Sequence, residues 1–178
     1  MSQWPPDYND RYLPPPGSRY WFGERECQDP EAREGDILRK IQATIAWARE
    51  RAPFYRKKWE DAGLEPGDIK GLDDFRTVPV VTKQELREDQ AAHPPLGSYL
   101  CIPREEVRRI HGTSGTTGKP TAFAIGREDW RRIANAHARI MWSFGLRPSD
   151  TVFFGSFFSL YLGGWGALAG VERLGATA

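Results

Sequence analysis

Cysteine is scarce in this sequence. There are two in 178 residues, Cys27 and Cys101, far apart and in no CxxC pair. That excludes a disulfide framework and a cysteine-built zinc site, and it fits a reducing, cytoplasmic setting. An excess of charge of either sign is missing too. Twenty-five Lys and Arg stand against 24 Asp and Glu, for a formal net charge of +1. Such a balance leaves no electrostatic footprint for nucleic acid or an anionic membrane surface. Met1 is followed by polar, proline-rich sequence rather than by the basic and apolar pattern of a signal peptide.

One long uncharged run does occur, from Thr151 to Val171, and it has the length to cross a bilayer. Five glycines, two serines and a threonine interrupt it, and Glu172 and Arg173 continue its helical pattern. A buried strand over Thr151–Phe154 followed by a buried helix over Gly163–Leu174, with Gly175 as its cap, accounts for it better than a membrane span.

At 39% hydrophobic and 28% charged residues the composition is that of a globular chain with one real core. Residues 1–24, with Trp4-Pro5-Pro6 and Pro14-Pro15-Pro16-Gly17, cannot form a regular helix. They read either as an extended arm anchored by its aromatic rings or as a loose terminus. Residues 25–104 read as a helical preamble. Asp29-Pro30-Glu31 is a helix start, and Ile37, Ile41, Ile45 and Ala48 give that helix one apolar face ending before Pro53. A second helix follows from Pro53 to about Ala62. Its basic run Arg56-Lys57-Lys58 reads as a solvated face, with a contact to a ligand phosphate as the rival reading. Thr82-Lys83-Gln84-Glu85 is a capping box, with Val81 and Leu86 in staple positions, and opens a helix to about Asp89.

From residue 105 the pattern changes. Val107–Ile110 and Pro120–Ile125 read as strands. Arg127–Phe144 reads as a helix with Trp130, Ile133, His137, Met141 and Phe144 on one stripe, which makes His137 a core histidine rather than a catalyst. Between the strands lies His111-Gly112-Thr113-Ser114-Gly115-Thr116-Thr117-Gly118-Lys119-Pro120-Thr121. Three glycines at a spacing of three, four hydroxyls and one lysine suit the cradling of a polyphosphate by main-chain N–H groups. The same composition also describes an ordinary Gly/Thr hairpin loop. It is not the P-loop of nucleotide triphosphatases: Thr113 stands where that motif needs its first Gly, and Pro120 where it needs the magnesium-binding hydroxyl.

Ser114-Gly115-Thr116-Thr117-Gly118-Lys119-Pro120 resembles the phosphate-loop signature of the adenylate-forming enzymes. Arg109-Ile110-His111, Phe54-Tyr55-Arg56-Lys57-Lys58-Trp59, Phe75–Lys83, Gly163-Gly164 and Glu172–Thr177 resemble the phenylacetate-CoA ligase branch of that superfamily. The resemblance runs from about Phe54 to the last residue. It implies an α/β fold in which a helical N-terminal region precedes the first strands and helices of an adenylate-forming-enzyme N-terminal domain, here truncated: residues 105–178 would be the start of the nucleotide-binding core.

The implied activity is an ATP-dependent, AMP-forming carboxylate-CoA ligase acting through an acyl-adenylate, with ATP, Mg2+ and coenzyme A, on an aryl acid such as phenylacetate or benzoate. The complete enzyme would act on a small carboxylic acid and form a homodimer. By the same resemblance Thr113, Ser114, Gly115, Thr116, Thr117, Gly118 and Lys119 would hold the β- and γ-phosphates. Phe158, Tyr161, Gly163 and Gly164 would line the acyl pocket, although Phe153, Phe154, Phe157 and Phe158 also read simply as core. Ser156 stands where the branch implies another aromatic. The lysine that contacts the reacting carboxylate and the groups for adenine, ribose and magnesium would lie beyond Ala178, so no catalytic residue and no metal ligand is assigned here. The alternatives are a non-catalytic nucleotide-binding or interaction fragment and a membrane-tethered protein using Thr151–Val171.

Overall fold

A computed structural model of the chain describes residues 12–113, 120–155 and 158–178. The helices are α1 (Gly23–Glu26), α2 (Pro30–Arg51), α3 (Pro53–Asp61), α4 (Lys83–Ala92), α5 (Arg127–Ser143) and α6 (Leu162–Leu174). The strands β1 (Val107–Gly112) and β2 (Ala122–Gly126) pair as a two-stranded sheet. The described residues fall into two compact units. One is made of Asp29–Glu105 and Thr121–Ala124, the other of residues 12–28, 106–113 and 120 and the described part of Ile125–Ala178.

In the first unit, sequence-local signals start and stop the helices. The Asp29 carboxylate accepts from the N–H groups of Glu31 and Ala32, and Pro30 occupies the first turn of α2, where a missing N–H costs nothing. Ala52 is extended, as the residue before Pro53 must be, and α3 begins at once. At α4 the Thr82 hydroxyl accepts from Glu85 N–H at 3.2 Å and the Glu85 carboxylate accepts from Thr82 N–H at 2.7 Å. The core collects Ile45 and Ala48 of α2, Trp59 of α3, and Leu64 and Ile69 from the connection that follows. Ile37, on the expected apolar face of α2, stays 40% exposed because the packed part of that face begins at Leu38 and Ile41.

The second unit is built on the packing of α5 against α6. Trp21, Ala138, Trp142 and Leu174 form its core, with Tyr12, Phe22, Leu146 and Ala176 against them. Residues 12–22 therefore contribute rings to this core. Trp21 is 1% exposed and meets Trp142 edge-on at 5.9 Å, and the Trp142 indole N–H donates to the Ser18 carbonyl at 3.0 Å.

Two local expectations fail. The buried positions of α5 are Ala134, Asn135, Ala138 and Trp142, and Phe144 is 84% exposed. The stripe is rotated toward the small residues because α6 approaches closely. A Cβ on Gly170 would stand 2.5 Å from the Cβ of His137, and one on Gly166 2.6 Å from its ring. Thr151–Phe154 is not a strand. It makes one isolated parallel bridge, Thr151 to Thr177, and Phe153 is 91% exposed. A single bridge does not make the ladder that would bury that run. Ala176 and Thr177 run back alongside this segment, with Val152 N–H donating to Thr177 O at 2.8 Å and Thr177 N–H to Asp150 O at 3.0 Å. The turn into it is the Gly175 cap of α6 at φ 86°, a conformation in which any other residue would be strained.

Candidate functional site: the flanks of the glycine loop

Of the proposed phosphate-binding residues, Thr113 is described, and Ser114, Gly115, Thr116, Thr117, Gly118 and Lys119 lie outside the described residues. The flanks of the loop are well defined. On the entry side, β1 ends in two buried residues, His111 and Gly112. Gly112 N–H donates to the Leu160 carbonyl at 2.9 Å, and His111 Nδ1 lies 3.1 Å from the same oxygen. A carbonyl only accepts, so Nδ1 carries the proton in that contact. The imidazole is stacked on Trp130 with 8° between the planes.

Arg109, two residues earlier, sits over the Trp130 ring at 3.8 Å and reaches Trp165 at 5.4 Å. A guanidinium over an indole face is held both by its charge and by its plane. On the exit side, the backbone of Ala122 is held by two side chains of the first unit. Its N–H donates to Gln90 Oε1 at 3.0 Å, and its carbonyl accepts from the Tyr99 hydroxyl at 2.6 Å. Burial pushes the Tyr99 phenol above its usual range, with the Asp89 carboxylate adding to the shift, so the hydroxyl keeps its proton at neutral pH.

The four expected acyl-pocket positions, Phe158, Tyr161, Gly163 and Gly164, come together in the second unit. Phe158 packs on Trp165 at 4.8 Å and on Phe154 at 6.1 Å. The Trp165 indole N–H donates to the Ser159 carbonyl at 2.7 Å. A Cβ on Gly163 would stand 2.3 Å from the Tyr161 ring, and one on Gly164 3.5 Å from Phe158. Phe158 is 40% exposed and Tyr161 60% exposed, so these rings do not simply fill core. His137 is half-buried rather than core: a Cβ on Gly166 would stand 2.6 Å from its ring, and its Nδ1 lies 2.9 Å from the Ile133 carbonyl, one turn back along α5. Ser156 and Phe157 lie outside the described residues.

The basic run of α3 is engaged within its own unit. Arg56 donates to the carbonyls of Arg49 and Glu50, Lys57 pairs with Asp61 at 2.8 Å, and Lys58 pairs with Glu85. The Lys58 ammonium, helped by the Thr82 N–H and hydroxyl, holds the Glu85 carboxyl down to about 2. The two lysines border an open groove of about 780 Å³ floored by Pro53, Phe54 and Pro79. Among the described residues no group of three or more His, Cys, Asp or Glu is placed to hold a metal ion, and no helix is long and apolar enough to cross a membrane.

No family model matches the chain. Individual proteins do. A phenylacetate-coenzyme A ligase of Escherichia coli (strain K12) is 40% identical over 138 residues, which is 78% of this chain and 30% of that protein. One from Pseudomonas putida is 36% identical over 164 residues, 89% of this chain and 36% of that protein. A solved 2-hydroxyisobutyryl-CoA ligase, in complex with 2-HIB-AMP and CoA, superposes with a TM-score of 0.94 at 58% identity. That match covers 99% of this chain and 37% of the ligase.

The fold and sequence are thus those of the N-terminal part of an adenylate-forming acyl-CoA ligase. Within that class the curated proteins it resembles are phenylacetate-CoA ligases, and the chain spans about a third of their length.

Sequence reasoning named the loop, the aromatic pair and the glycine pair as candidates. It missed Gln90, Tyr99, Trp130 and the Leu160 carbonyl. Each acts on a residue more than a helix length away in sequence, or through a main-chain atom, and neither leaves a local pattern.

Proposed function

We propose that the complete protein to which this chain belongs is an AMP-forming carboxylate-CoA ligase. The observation that carries the reading is the 58% identity, over 99% of this chain, to a ligase solved with an acyl-AMP and CoA. A carboxylate oxygen attacks the α-phosphorus of ATP, pyrophosphate leaves, and an acyl-adenylate remains. The thiol of CoA then attacks the acyl carbon and AMP leaves. No protein nucleophile is required; the demand on the protein is alignment and charge neutralisation.

In this reading Thr113 through Lys119 bind the β- and γ-phosphates through main-chain N–H groups and the hydroxyls of Ser114, Thr116 and Thr117, with Lys119 offsetting charge. Magnesium would supply further neutralisation of the phosphate charge, and no described residue is assigned to hold it. Phe158 and Tyr161, with the Gly163-Gly164 pair behind them, form one wall of the acid site.

The acid has two readings. An aryl acid such as phenylacetate or benzoate follows from the names of the curated relatives, at 36–40% identity. A compact branched 2-hydroxy acid is favoured by the higher identity to the 2-hydroxyisobutyryl-CoA ligase. Carboxylate-dependent exchange of labelled pyrophosphate into ATP, run on the complete protein with phenylacetate, benzoate and 2-hydroxyisobutyrate, separates them. Exchange with one class and not the other names the acid. No exchange with any acid from a folded complete protein would leave a non-catalytic nucleotide-binding or interaction protein as the surviving account.

A further inference from the structure

We propose that Gln90 and Tyr99 are positioning residues that clamp Ala122 and so fix the exit of the phosphate loop. The inference deepens the phosphate-loop reading and rests on it. Ala122 follows Lys119 by three residues. Its N–H and its carbonyl are held by separate side chains, at 3.0 and 2.6 Å. Two bonds on one peptide-bearing residue fix its direction as well as its place.

The clamp is itself held in shape. The Gln90 carboxamide is oriented at both ends, because its Nε2 donates to the Pro95 carbonyl at 2.8 Å while its oxygen takes the Ala122 N–H. The Asp89 carboxylate accepts from both the N–H and the hydroxyl of Ser98 at 2.6 Å, which fixes the chain leading into Tyr99. Gly97, at φ 76°, leaves room for the Tyr99 ring: a Cβ there would stand 2.3 Å from it. The Phe54 ring closes on the Tyr99 ring edge-on at 6.1 Å. This much support for one hydroxyl and one amide is more than a turn after a helix needs. A loop that binds phosphates through backbone N–H groups needs it, because its donors can be aimed only by aiming the backbone.

The test uses Tyr99→Phe and Gln90→Met in the complete protein. Tyr99→Phe removes the bond to the Ala122 carbonyl, and Gln90→Met removes the bonds to the Ala122 N–H and the Pro95 carbonyl, each at nearly constant volume. Amide hydrogen exchange reads the clamp without reference to activity: the peptide spanning residues 120–126 should exchange about tenfold faster in either variant. Pyrophosphate exchange reads its purpose: KM for ATP should rise about three- to tenfold, while KM for the acid and the melting temperature stay close to wild type. Unchanged hydrogen exchange in both folded variants overturns the clamp. Faster hydrogen exchange with KM for ATP unchanged, or with ATP and acid affected alike, overturns its role in positioning the loop. A wild-type protein that shows no pyrophosphate exchange at all fails the ligase reading, and the positioning role with it, while the hydrogen-exchange arm still decides whether the clamp exists.

Discussion

Two glycines of α6 make opposite predictions although an added Cβ would crowd a neighbour at each. A Cβ on Gly170 would stand 2.5 Å from the Cβ and 2.9 Å from the backbone carbonyl carbon of His137, atoms that move only if α5 moves. Gly170→Ala should therefore cost about 1–3 kcal/mol, read as a lower melting temperature. A Cβ on Gly163 meets only the ring of Tyr161, which is 60% exposed and free to swing. Gly163→Ala should leave the melting temperature nearly unchanged and alter the ratio of kcat/KM between a bulky and a compact acid. Equal loss for all acids would remove Tyr161 from the acid site. The Gly163-Gly164 pair was legible in the sequence through family resemblance. The reason for Gly170 was not, because it depends on which face of α5 approaches.

Helix ends were the most legible elements, since a cap is a contract between neighbours in sequence. Asp29-Pro30 and Thr82–Glu85 cap α2 and α4 as their sequences say. Thr82→Ala should lower stability by about 1 kcal/mol in denaturant titration. Glu85 adds a pH dependence. Its carboxyl is lowered from 4.5 to about 2, chiefly by Lys58. A depressed folded-state value means that the stabilisation is complete above the unfolded value and is lost as pH falls through the folded one. Lys58→Met should therefore flatten the stability profile between about pH 4.5 and pH 2 and leave the slope at neutral pH unchanged. A profile unaltered in that window would show that the pair is too well solvated to matter. The run Thr151–Phe154 was misread as a strand for the complementary reason: a strand exists only with its partners, and a partner is not written in the strand itself.

At the scale of the whole chain, the proline-rich beginning turns out to matter to the second unit. Trp21 is buried to 1% beneath Trp142 and Leu174, and Arg173 donates to the Tyr12 carbonyl at 2.5 Å. Trp21→Ala should cost about 3–5 kcal/mol, measured by chemical denaturation. A cost below about 1 kcal/mol would return residues 12–22 to the status of a loose terminus. Composition offered both accounts of that segment and could not choose, because an aromatic ring declares its affinity for a core without declaring which one. The general class of the chain was legible because the glycine loop carries its chemistry in contiguous residues. The order of helices followed from caps and breakers. The flanking supports of the loop are matters of tertiary approach.

The Leu160 carbonyl, which takes both the Gly112 N–H and His111 Nδ1, has a practical consequence for redesign. It stands one residue from Tyr161 and two from Phe158, so the ring wall and the entrance of the glycine loop hang from the same peptide. In the proposed ligase reading, inserting, deleting or grafting backbone between Phe158 and Leu162 to admit a different acid should also change KM for ATP, as pyrophosphate exchange would read. A library confined to side chains at Phe158, Tyr161 and Gly164 would spare that shared peptide.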